Sequence, residues 1–382
     1  MTARILLAAH RLVADHPTGI QRYTDELVLG LAAVADPAEL RFDLVAAAEP
    51  VDPTWVPPHV GIRRLRGPRR VANLAWTTLA FPPIEAHVGR ADLVHVMSTA
   101  IAVPSRAPEV VTVHDLIPIH HPEWMERGPA WACRRALAFT ARHARRIIVP
   151  SQLVHDDLCR TLGIDPSRVR VIPEGVSDRF RATPSREVVA DVRARHAIAT
   201  DEWLVMVGAV SRRKNVPVVL RALASLRAAG DALPTLVLAG PADVGTDEVR
   251  DLCTELGLDD VVRFAGFVSD ADLAVLVSGA VALLHPSLDE GFGLTPLEAM
   301  AAGVPAVVSG AGAVAEVVGD AAIVVPPADS EGWAQALRRL RTDADLRAEI
   351  AERGRTRAAL FTWTEAARRT IEVYREVLAE QD

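Results

Sequence analysis

In the C-terminal half of the chain, short runs of apolar residues alternate with segments in which apolar residues recur at helical spacing. The strand-like runs cover residues 204–210, 235–239, 261–266, 281–285, 304–309 and 322–325. Two stripes between the first three runs follow the spacing of one helix face: Val219, Leu220, Leu223 and Leu226, then Val249, Leu252, Cys253 and Leu256. Continuous apolar runs that alternate with helices indicate a parallel α/β sheet, and the stripes are predicted to be core.

The N-terminal half repeats this arrangement. Its predicted strands are residues 5–9, 42–46, 92–96, 110–114 and 146–149, and a helix with Ile20, Tyr23, Leu27 and Leu31 on one face follows the first strand. The pattern predicts an α/β chain with two Rossmann-like sheets.

Two further segments indicate a domain junction and a C-terminal helix. Residues 171–180, which begin Val-Ile-Pro-Glu-Gly-Val, and the polar stretch to residue 200 are rich in turn residues, so we expect a hinge near 175–200. From Thr362 the sequence Thr-Trp-Thr-Glu has a capping pattern, and Ile371, Tyr374, Val377 and Leu378 follow at helical spacing, so the chain is predicted to end in a packed helix.

Composition narrows the classes of protein. The 382 residues are enough for two cores. A net charge of −7 disfavours general nucleic-acid binding. Apolar runs stay shorter than the roughly 18 residues of a membrane span, and the first ten residues read as a strand, so we expect a cytoplasmic protein. Three scattered cysteines support neither a disulfide framework nor a metal knuckle.

Residues 285–300 join a strand to a helical pattern and contain two closely spaced glycines. Gly291 and Gly293 lack Cβ atoms, so their backbone N–H groups can approach a ligand, and the positive end of the helix that starts near Pro296 points to the same place. A phosphate or a sugar oxygen would suit this position.

Two carboxylates flank those glycines. Glu298 has a structural alternative, because Thr295 at the N-cap and Pro296 at the first helical position would complete a capping box with it. Glu290 precedes the glycines and has no capping duty. Two carboxylates around one Gly-x-Gly turn indicate recognition of a polyol.

A basic turn follows another strand. Arg212, Arg213 and Lys214 precede Asn215, which is a good N-cap for the next helix. Positive charge at the positive end of a helix is unfavourable, so a bound diphosphate would remove the conflict. The alternative is a solvated basic turn.

Two further positions lie where strands of open α/β sheets present ligands. His114 ends the predicted strand 110–114 and should face the crevice between the domains, although a lone strand-end histidine is more often structural. Gly19, after Pro17 and Thr18, could let a helix start approach a ligand, and an ordinary Thr18 cap explains the same residues equally well.

Other charged motifs have simpler explanations. Asp270-Ala-Asp272 and Asp343-Ala-Asp345 follow Ser269 and Thr342, so we assign both to helix caps and not to a metal. His120 and His121 lack metal-ligand spacing. Two groups of arginines could make weak peripheral contact with anionic lipid or meet a phosphorylated acceptor, although solvated arginine is the commoner outcome: Arg63, Arg64, Arg66, Arg69 and Arg70, then Arg135, Arg142 and Arg146.

In this order, the segments resemble the retaining nucleotide-sugar glycosyltransferases of family four, over nearly the whole chain. Residues 290–298 match that family's Glu-x7-Glu motif, which is the most specific part of the resemblance. The resemblance implies the GT-B fold, in which two Rossmann-like domains face each other across a cleft and the final helix crosses back to the first domain. It implies an acceptor-binding domain at 1–175 with 363–382, and a donor-binding domain at 176–362.

The resemblance also implies roles for individual residues. Arg213 and Lys214 match the family's diphosphate-binding pair, and His114 matches the histidine that contacts the transferred sugar. The residues expected to act in catalysis are His114, Glu290, Arg213 and Lys214. The residues expected to bind the donor are Gly19, Gly291, Phe292, Gly293, Leu294 and Glu298. Of these, Glu298 is expected to bind the ribose.

The chain departs from the family pattern at two points. Ala209 stands where many members have an arginine, which leaves Arg213 to supply that charge alone. The N-terminal loop has a single glycine, Gly19, where the family has a glycine loop.

We therefore expect a metal-independent, retaining hexosyltransferase whose cations and helix-end amides stabilise the leaving nucleoside diphosphate. The expected donor is GDP-mannose, and the expected acceptor is a glycan, a lipid-linked sugar or a small natural product. Without a clear second carboxylate, a short-lived oxocarbenium-like species is expected and not a covalent intermediate. The alternatives are a sugar-nucleotide epimerase or phosphorylase on the same fold, and a non-catalytic nucleotide-sugar-binding module.

Overall fold

A computed structural model describes residues 2–8, 19–46 and 55–381. The chain divides into two compact units. The first comprises residues up to Gly175 together with those from Thr362 onward, and the second runs from Val176 to Phe361.

The first unit contains a parallel sheet of seven strands in the order β3-β2-β1-β4-β5-β6-β7. The strands are β1 Ala3–Ala8, β2 Leu40–Ala46, β3 Gly61–Arg64, β4 Leu93–Val96, β5 Glu109–Thr112, β6 Arg146–Val149 and β7 Val169–Val171. The helices are α1 Gly19–Val34, α2 Arg69–Leu79, α3 Glu85–Val88, α4 Ile117–His120, α5 Arg127–His143 and α6 Gln152–Leu162, with short 3₁₀ turns at Pro122–Trp124 and Pro166–Arg168.

The second unit contains a parallel sheet of six strands in the order β10-β9-β8-β11-β12-β13. The strands are β8 Trp203–Val207, β9 Thr235–Ala239, β10 Val262–Gly266, β11 Ala282–His285, β12 Ala306–Ser309 and β13 Ile323–Val325. The helices are α7 Arg186–Arg195, α8 Val216–Ala228, α9 Thr246–Glu255, α10 Asp270–Ser278, α11 Leu294–Ala302, α12 Val314–Val318, α13 Ser330–Thr342 and α14 Ala344–Ala358, with 3₁₀ turns at Asp178–Phe180 and Arg212–Lys214.

The predicted α/β class with two Rossmann-like parallel sheets is confirmed, and the predicted helix stripes are core. In α8 the four stripe residues are buried, and in α9 Val249 and Cys253 are buried while Leu252 and Leu256 are half-buried. The strand at 110–114 is shorter than predicted, because it ends at Thr112 and His114 follows it.

The last helix, α15 Trp363–Ala379, packs in the first unit, as predicted. Its Thr362 cap is also confirmed, because the side chain accepts a hydrogen bond from the Glu365 amide at 3.2 Å. Helix α15 lies close against α1, where a Cβ on Gly30 would come within 2.9 Å of the Trp363 carbonyl oxygen. The Tyr374 hydroxyl, buried beneath, lies 2.6 Å from Nδ1 of His95.

The predicted caps of two other helices have different outcomes. Ser269 caps α10 by accepting from the Asp272 amide at 3.2 Å, as predicted. Thr342 does not cap α14, because it ends α13 and its hydroxyl donates back to the Arg338 carbonyl. Asp343 is the cap and accepts from the Leu346 amide at 2.9 Å.

Candidate active site

Strand order locates the functional edge of each sheet. In the second sheet the chain runs outward from β8 on one side and from β11 on the other, so the switch point lies between these two adjacent strands. Ligands of open α/β sheets bind beyond the carboxyl ends of strands at such a point. The basic turn follows β8 and the acidic glycine loop follows β11, so the two segments singled out in the sequence meet here.

One backbone hydrogen bond and two side chains join the two loops. The Leu288 amide donates to the Arg213 carbonyl at 2.9 Å, and the Arg213 side chain donates to the Asp289 carbonyl at 3.3 Å. Asn215 occupies the N-cap of α8 in a left-handed conformation, with φ of 50°. Its side chain does not cap, contrary to the prediction, and donates instead to the Pro286 and Pro327 carbonyls at 3.2 and 2.7 Å.

The Glu290 carboxylate is the centre of this site. Its Oε1 atom lies 2.5 Å from Nη1 of Arg213 and 2.7 Å from Nζ of Lys214. The exposed fractions of the Lys214 and Glu290 side chains are only 12% and 15%. Arg212, the third cation of the turn, points away and pairs with Glu248 at 2.7 Å, where both side chains are exposed. The basic turn is therefore split into two inward charges and one outward charge.

Burial and charge act in opposite directions on these groups. Burial alone would raise the pKa of Glu290, but Arg213 and Lys214 outweigh it and hold that pKa well below its usual range. Burial lowers the pKa of Lys214, and Arg213 lowers it further, while Glu290 offsets part of the shift. The carboxylate and the ammonium thus depend on each other for their charged forms.

His285, at the end of β11, is a member of the site that the sequence did not single out. Its Nε2 atom lies 3.5 Å from Oε1 of Glu290, and its Nδ1 atom lies 3.0 Å from the Thr295 hydroxyl. Burial, with the nearby charge of Lys214, lowers the pKa of His285 to about 4, so the ring is neutral at physiological pH.

The capping box that was the structural alternative for Glu298 does not form with Thr295 at the N-cap. Helix α11 begins at Leu294, and its N-cap is Gly293, whose φ of 108° favours glycine. Thr295 therefore lies inside the first turn, and its hydroxyl contacts His285. Glu298 is buried near Lys214, whose pKa burial lowers, and the charge of Glu298 opposes part of that shift. The structure therefore places Glu298 within the charged site, and Thr295 is not the N-cap of its helix.

The remaining predicted donor-binding positions line the same loop in different ways. The Phe292 side chain is core and contacts the Phe361 ring edge-on at 6.0 Å, so only its backbone is available to a ligand. Leu294 is half-buried against the same core. Gly291 is buried, and together with Gly293 it brings the chain to the start of α11.

The first sheet has its own switch point, between β1 and β4. Gly19, the first residue of α1, is exposed in the connection after β1, while Pro17 and Thr18 lie outside the described residues, so the Thr18 cap stays a prediction. His114 follows β5, and its ring packs edge-on against Tyr23 of α1 at 4.6 Å.

Both ring nitrogens of His114 face oxygen acceptors. Nδ1 lies 3.3 Å from a carboxylate oxygen of Glu174, and Nε2 lies 3.1 Å from the Met97 carbonyl oxygen. A neutral imidazole can donate only one hydrogen bond, whereas the imidazolium donates two. Burial would lower the pKa of His114, but Glu174, together with the Met97 carbonyl and Asp115, raises it overall.

Several of the charged side chains singled out in the sequence form ion pairs or hydrogen bonds within the fold. Asp272 pairs with Arg195 and His196, and Arg146 pairs with Glu376 of α15. Arg135 donates to the carbonyls of Thr77 and Thr78. Among residues 2–8, 19–46 and 55–381, no group of three or more His, Cys, Asp or Glu side chains is arranged to hold a metal ion.

Two family models match the chain in succession. The Glycosyltransferase Family 4 model matches residues 17–180, and the model for Glycosyl transferases group 1 matches residues 189–357. The chain belongs to the family-four glycosyltransferases.

Curated relatives of this chain include named enzymes. The D-inositol 3-phosphate glycosyltransferase of Saccharomonospora viridis is 34% identical, over 62% of this chain and 56% of that protein. This chain thus spans little more than half the length of that relative. The O-antigen chain mannosyltransferase B of Escherichia coli is 26% identical, over 94% of this chain and 96% of the relative.

Solved structures share the fold of this chain. The Anabaena HepE protein, determined in complex with UDP-glucose, has a TM-score of 0.74 and 21% identity, over 98% of this chain and all of that one. The predicted GT-B fold class is confirmed. The roles assigned to individual residues stay predictions.

Sequence reasoning missed three residues around Glu290 in the second unit, namely His285, Gly208 and Gly312, and it missed the contact of Glu174 with His114 in the first unit. A Cβ on Gly312, whose φ is 63°, would lie 2.4 Å from the Glu290 amide nitrogen. A Cβ on Gly208 would lie 2.9 Å from the Lys214 side chain. The sequence marks these glycines by the Val-Gly pair at the end of β8 and by the Gly-Ala-Gly stretch after β12. Their spacing alone does not predict which residues they contact.

Proposed function

We propose that the chain transfers a hexosyl group from a nucleotide sugar to an acceptor hydroxyl, with retention of the anomeric configuration. The Glu290 cluster carries this proposal, because two cations and a carboxylate converge at the switch point beside the start of α11. A nucleotide sugar offers matching groups: a diphosphate for Arg213 and Lys214, and sugar hydroxyls for Glu290.

Leaving-group stabilisation is the main catalytic effect in this proposal. As the bond between the sugar and the diphosphate breaks, negative charge grows on the diphosphate. Arg213 and Lys214 are already held in place by Glu290 and by the loop hydrogen bonds, so little reorganisation is needed when that charge develops. The amides at the start of α11 add a fixed positive potential.

We propose that these protein cations act without a metal. The acceptor hydroxyl attacks from the face that the diphosphate leaves, and its proton passes to the departing diphosphate. The transferred sugar passes through a short-lived oxocarbenium-like species. An unchanged rate in the presence of EDTA is the expected result, and loss of transfer that Mg²⁺ restores would contradict metal independence.

The proposed donor is GDP-mannose. Support comes from the similarity to a protein named as a mannosyltransferase, which extends over nearly the full length of both chains. UDP-glucose, bound in the HepE structure, is the competing donor. The proposed acceptors are a glycan, a lipid-linked sugar or a small natural product.

A thermal-shift screen of nucleotide sugars tests the donor class. A donor present at 100 times its Kd adds about 2.7 kcal/mol to the free energy of unfolding, and the preferred donor should do so at the lowest concentration. Incubation with that donor but no acceptor then separates the alternatives, because an epimerase would convert the donor alone. No stabilisation by any nucleotide sugar would contradict the proposal.

A further inference from the structure

One segment of the first unit has an unusual combination of charge and exposed apolar surface. Residues 55–84 contain five arginines and no aspartate or glutamate, although the whole chain carries a net charge of −7. Within this segment, α2 exposes Val71 and Leu74 at 63% and 64%. Leu79, the last residue of α2, and Phe81, which follows the helix, are exposed at 73% and 62%.

Helix α2 is held firmly on its other face. Trp76 is fully buried, and its indole N–H donates to the Pro82 carbonyl at 2.7 Å, which ties the segment after the helix to it. Arg135 of α5 donates to the Thr77 carbonyl at 2.6 Å and lies over the ring of Trp131, 5.3 Å from its centroid. Trp131 is itself 43% exposed. The exposed apolar side chains therefore stand on a packed scaffold.

Arginines border this apolar surface at the start of the helix. Arg70 precedes Val71 and lies one turn before Leu74, and Arg66 lies in the preceding turn, both exposed. Arg70 belongs to the first turn of α2, where a positive charge opposes the helix dipole. An anionic surface would offset this cost.

We propose that this docking face, formed by Val71, Leu74, Leu79, Phe81, Arg66 and Arg70, binds an anionic lipid surface. Apolar side chains at helical spacing, beside arginines and an exposed tryptophan, are the combination that inserts into a lipid interface. A second copy is disfavoured as the occupant, because a two-fold contact would bring like-charged arginine segments together. No helix within the described part of the chain is both long enough and apolar enough to span a membrane.

Vesicle flotation with the full chain tests this inference. Vesicles of phosphatidylcholine with 30% phosphatidylglycerol, on the order of the anionic content used to model charged leaflets, are compared with pure phosphatidylcholine. The wild type should partition at least tenfold more strongly onto the anionic vesicles. Each arginine near the surface contributes roughly a fivefold factor, so Arg66→Ala with Arg70→Ala should weaken binding about 25-fold.

Apolar insertion has its own variant and a matched control. Val71→Ser with Leu74→Ser should weaken binding to anionic vesicles at least tenfold, whereas Leu360→Ser with Arg160→Ala, which alters exposed residues elsewhere, should not. Circular dichroism and thermal unfolding show that each variant is folded. Equal binding by the serine variant and the wild type, no preference for anionic vesicles, or a dimer in light scattering that the serine variant abolishes would each overturn the inference.

Discussion

Nδ1 of His114 lies 3.3 Å from a carboxylate oxygen of Glu174, and both side chains are largely buried. With the Met97 carbonyl on the other ring nitrogen, this pair favours the imidazolium. Tyr23 also packs on the ring, Asp115 is next in sequence, and His95 lies within electrostatic range. Glu174 thus holds the orientation of the histidine that the family resemblance assigns to the transferred sugar, and it favours the charged form of that histidine.

This pair predicts a pH-dependent contribution to stability. The pKa of His114 in the folded chain is raised above its ordinary value of 6.5, so the pair stabilises fully below pH 6.5 and loses its effect as pH rises through the folded pKa. Glu174→Gln should therefore destabilise the protein more at pH 6 than at pH 9 in urea unfolding. Glu123→Gln, which removes the exposed carboxylate beside His121, is the control and should show little difference. The same loss at both pH values would contradict the charged pair.

Lys214→Ala should reduce turnover by roughly 30- to 1,000-fold, which corresponds to about 2 to 4 kcal/mol of transition-state stabilisation. The physical reason is the loss of a positioned cation at the diphosphate. Arg212→Ala is the matched control, because Arg212 belongs to the same turn but pairs outward with Glu248. Steady-state kinetics measure the turnover number of both variants. Similar turnover numbers in the two would contradict the role proposed for Lys214.

Glu290→Gln should separate diphosphate binding from sugar transfer. The carboxylate neutralises Arg213 and Lys214 but does not attract a diphosphate, so nucleoside diphosphate binding should stay within about tenfold of wild type or become tighter. Transfer should fall about 100-fold or more, because the contact with the sugar is lost. Calorimetry with GDP and UDP, beside a transfer assay, measures both. Loss of diphosphate binding together with transfer would show that Glu290 acts only by holding the site together.

Gly312→Ala should destabilise the protein by roughly 2 to 5 kcal/mol, through a left-handed φ and overlap with the Glu290 backbone. Gly257 has the same φ of 63°, but a Cβ there meets nothing within 4 Å. Gly257→Ala should therefore cost only about 1 kcal/mol. Denaturant unfolding of the two variants isolates the overlap at Glu290, and equal losses would show that backbone strain alone operates.

The sequence predicted the buried strands better than the edges. Runs such as 236–239 and 147–149 are continuous and apolar, and each lies within a strand that begins one residue earlier. Strands β3 and β7 were missed, because Gly61–Arg64 carries two arginines and Val169–Val171 has only three residues, and both lie at sheet edges. Edge strands bury less side-chain surface, so their sequences carry less of the apolar signal.

The sequence predicted the charged residues of the candidate site but not the contacts between them. Glu290, Arg213 and Lys214 were identified from separate motifs, yet their mutual contact depends on the adjacency of β8 and β11, which strand order alone determines. The capping box at Thr295 failed because Gly293 starts the helix earlier and His285 takes the hydroxyl. Glu174 was assigned only to a junction, since its partner His114 lies 60 positions away in the sequence.

Equilibrium binding of the preferred nucleotide sugar is the most direct test of the Glu290 cluster as the donor site. Titration calorimetry should give saturable binding to the wild type and to Arg212→Ala with similar Kd values. Binding to the double variant Arg213→Ala with Lys214→Ala should be at least 100-fold weaker, because two charge-assisted contacts to the diphosphate are lost. Circular dichroism should show the double variant folded. Undiminished binding by that folded variant would contradict the account.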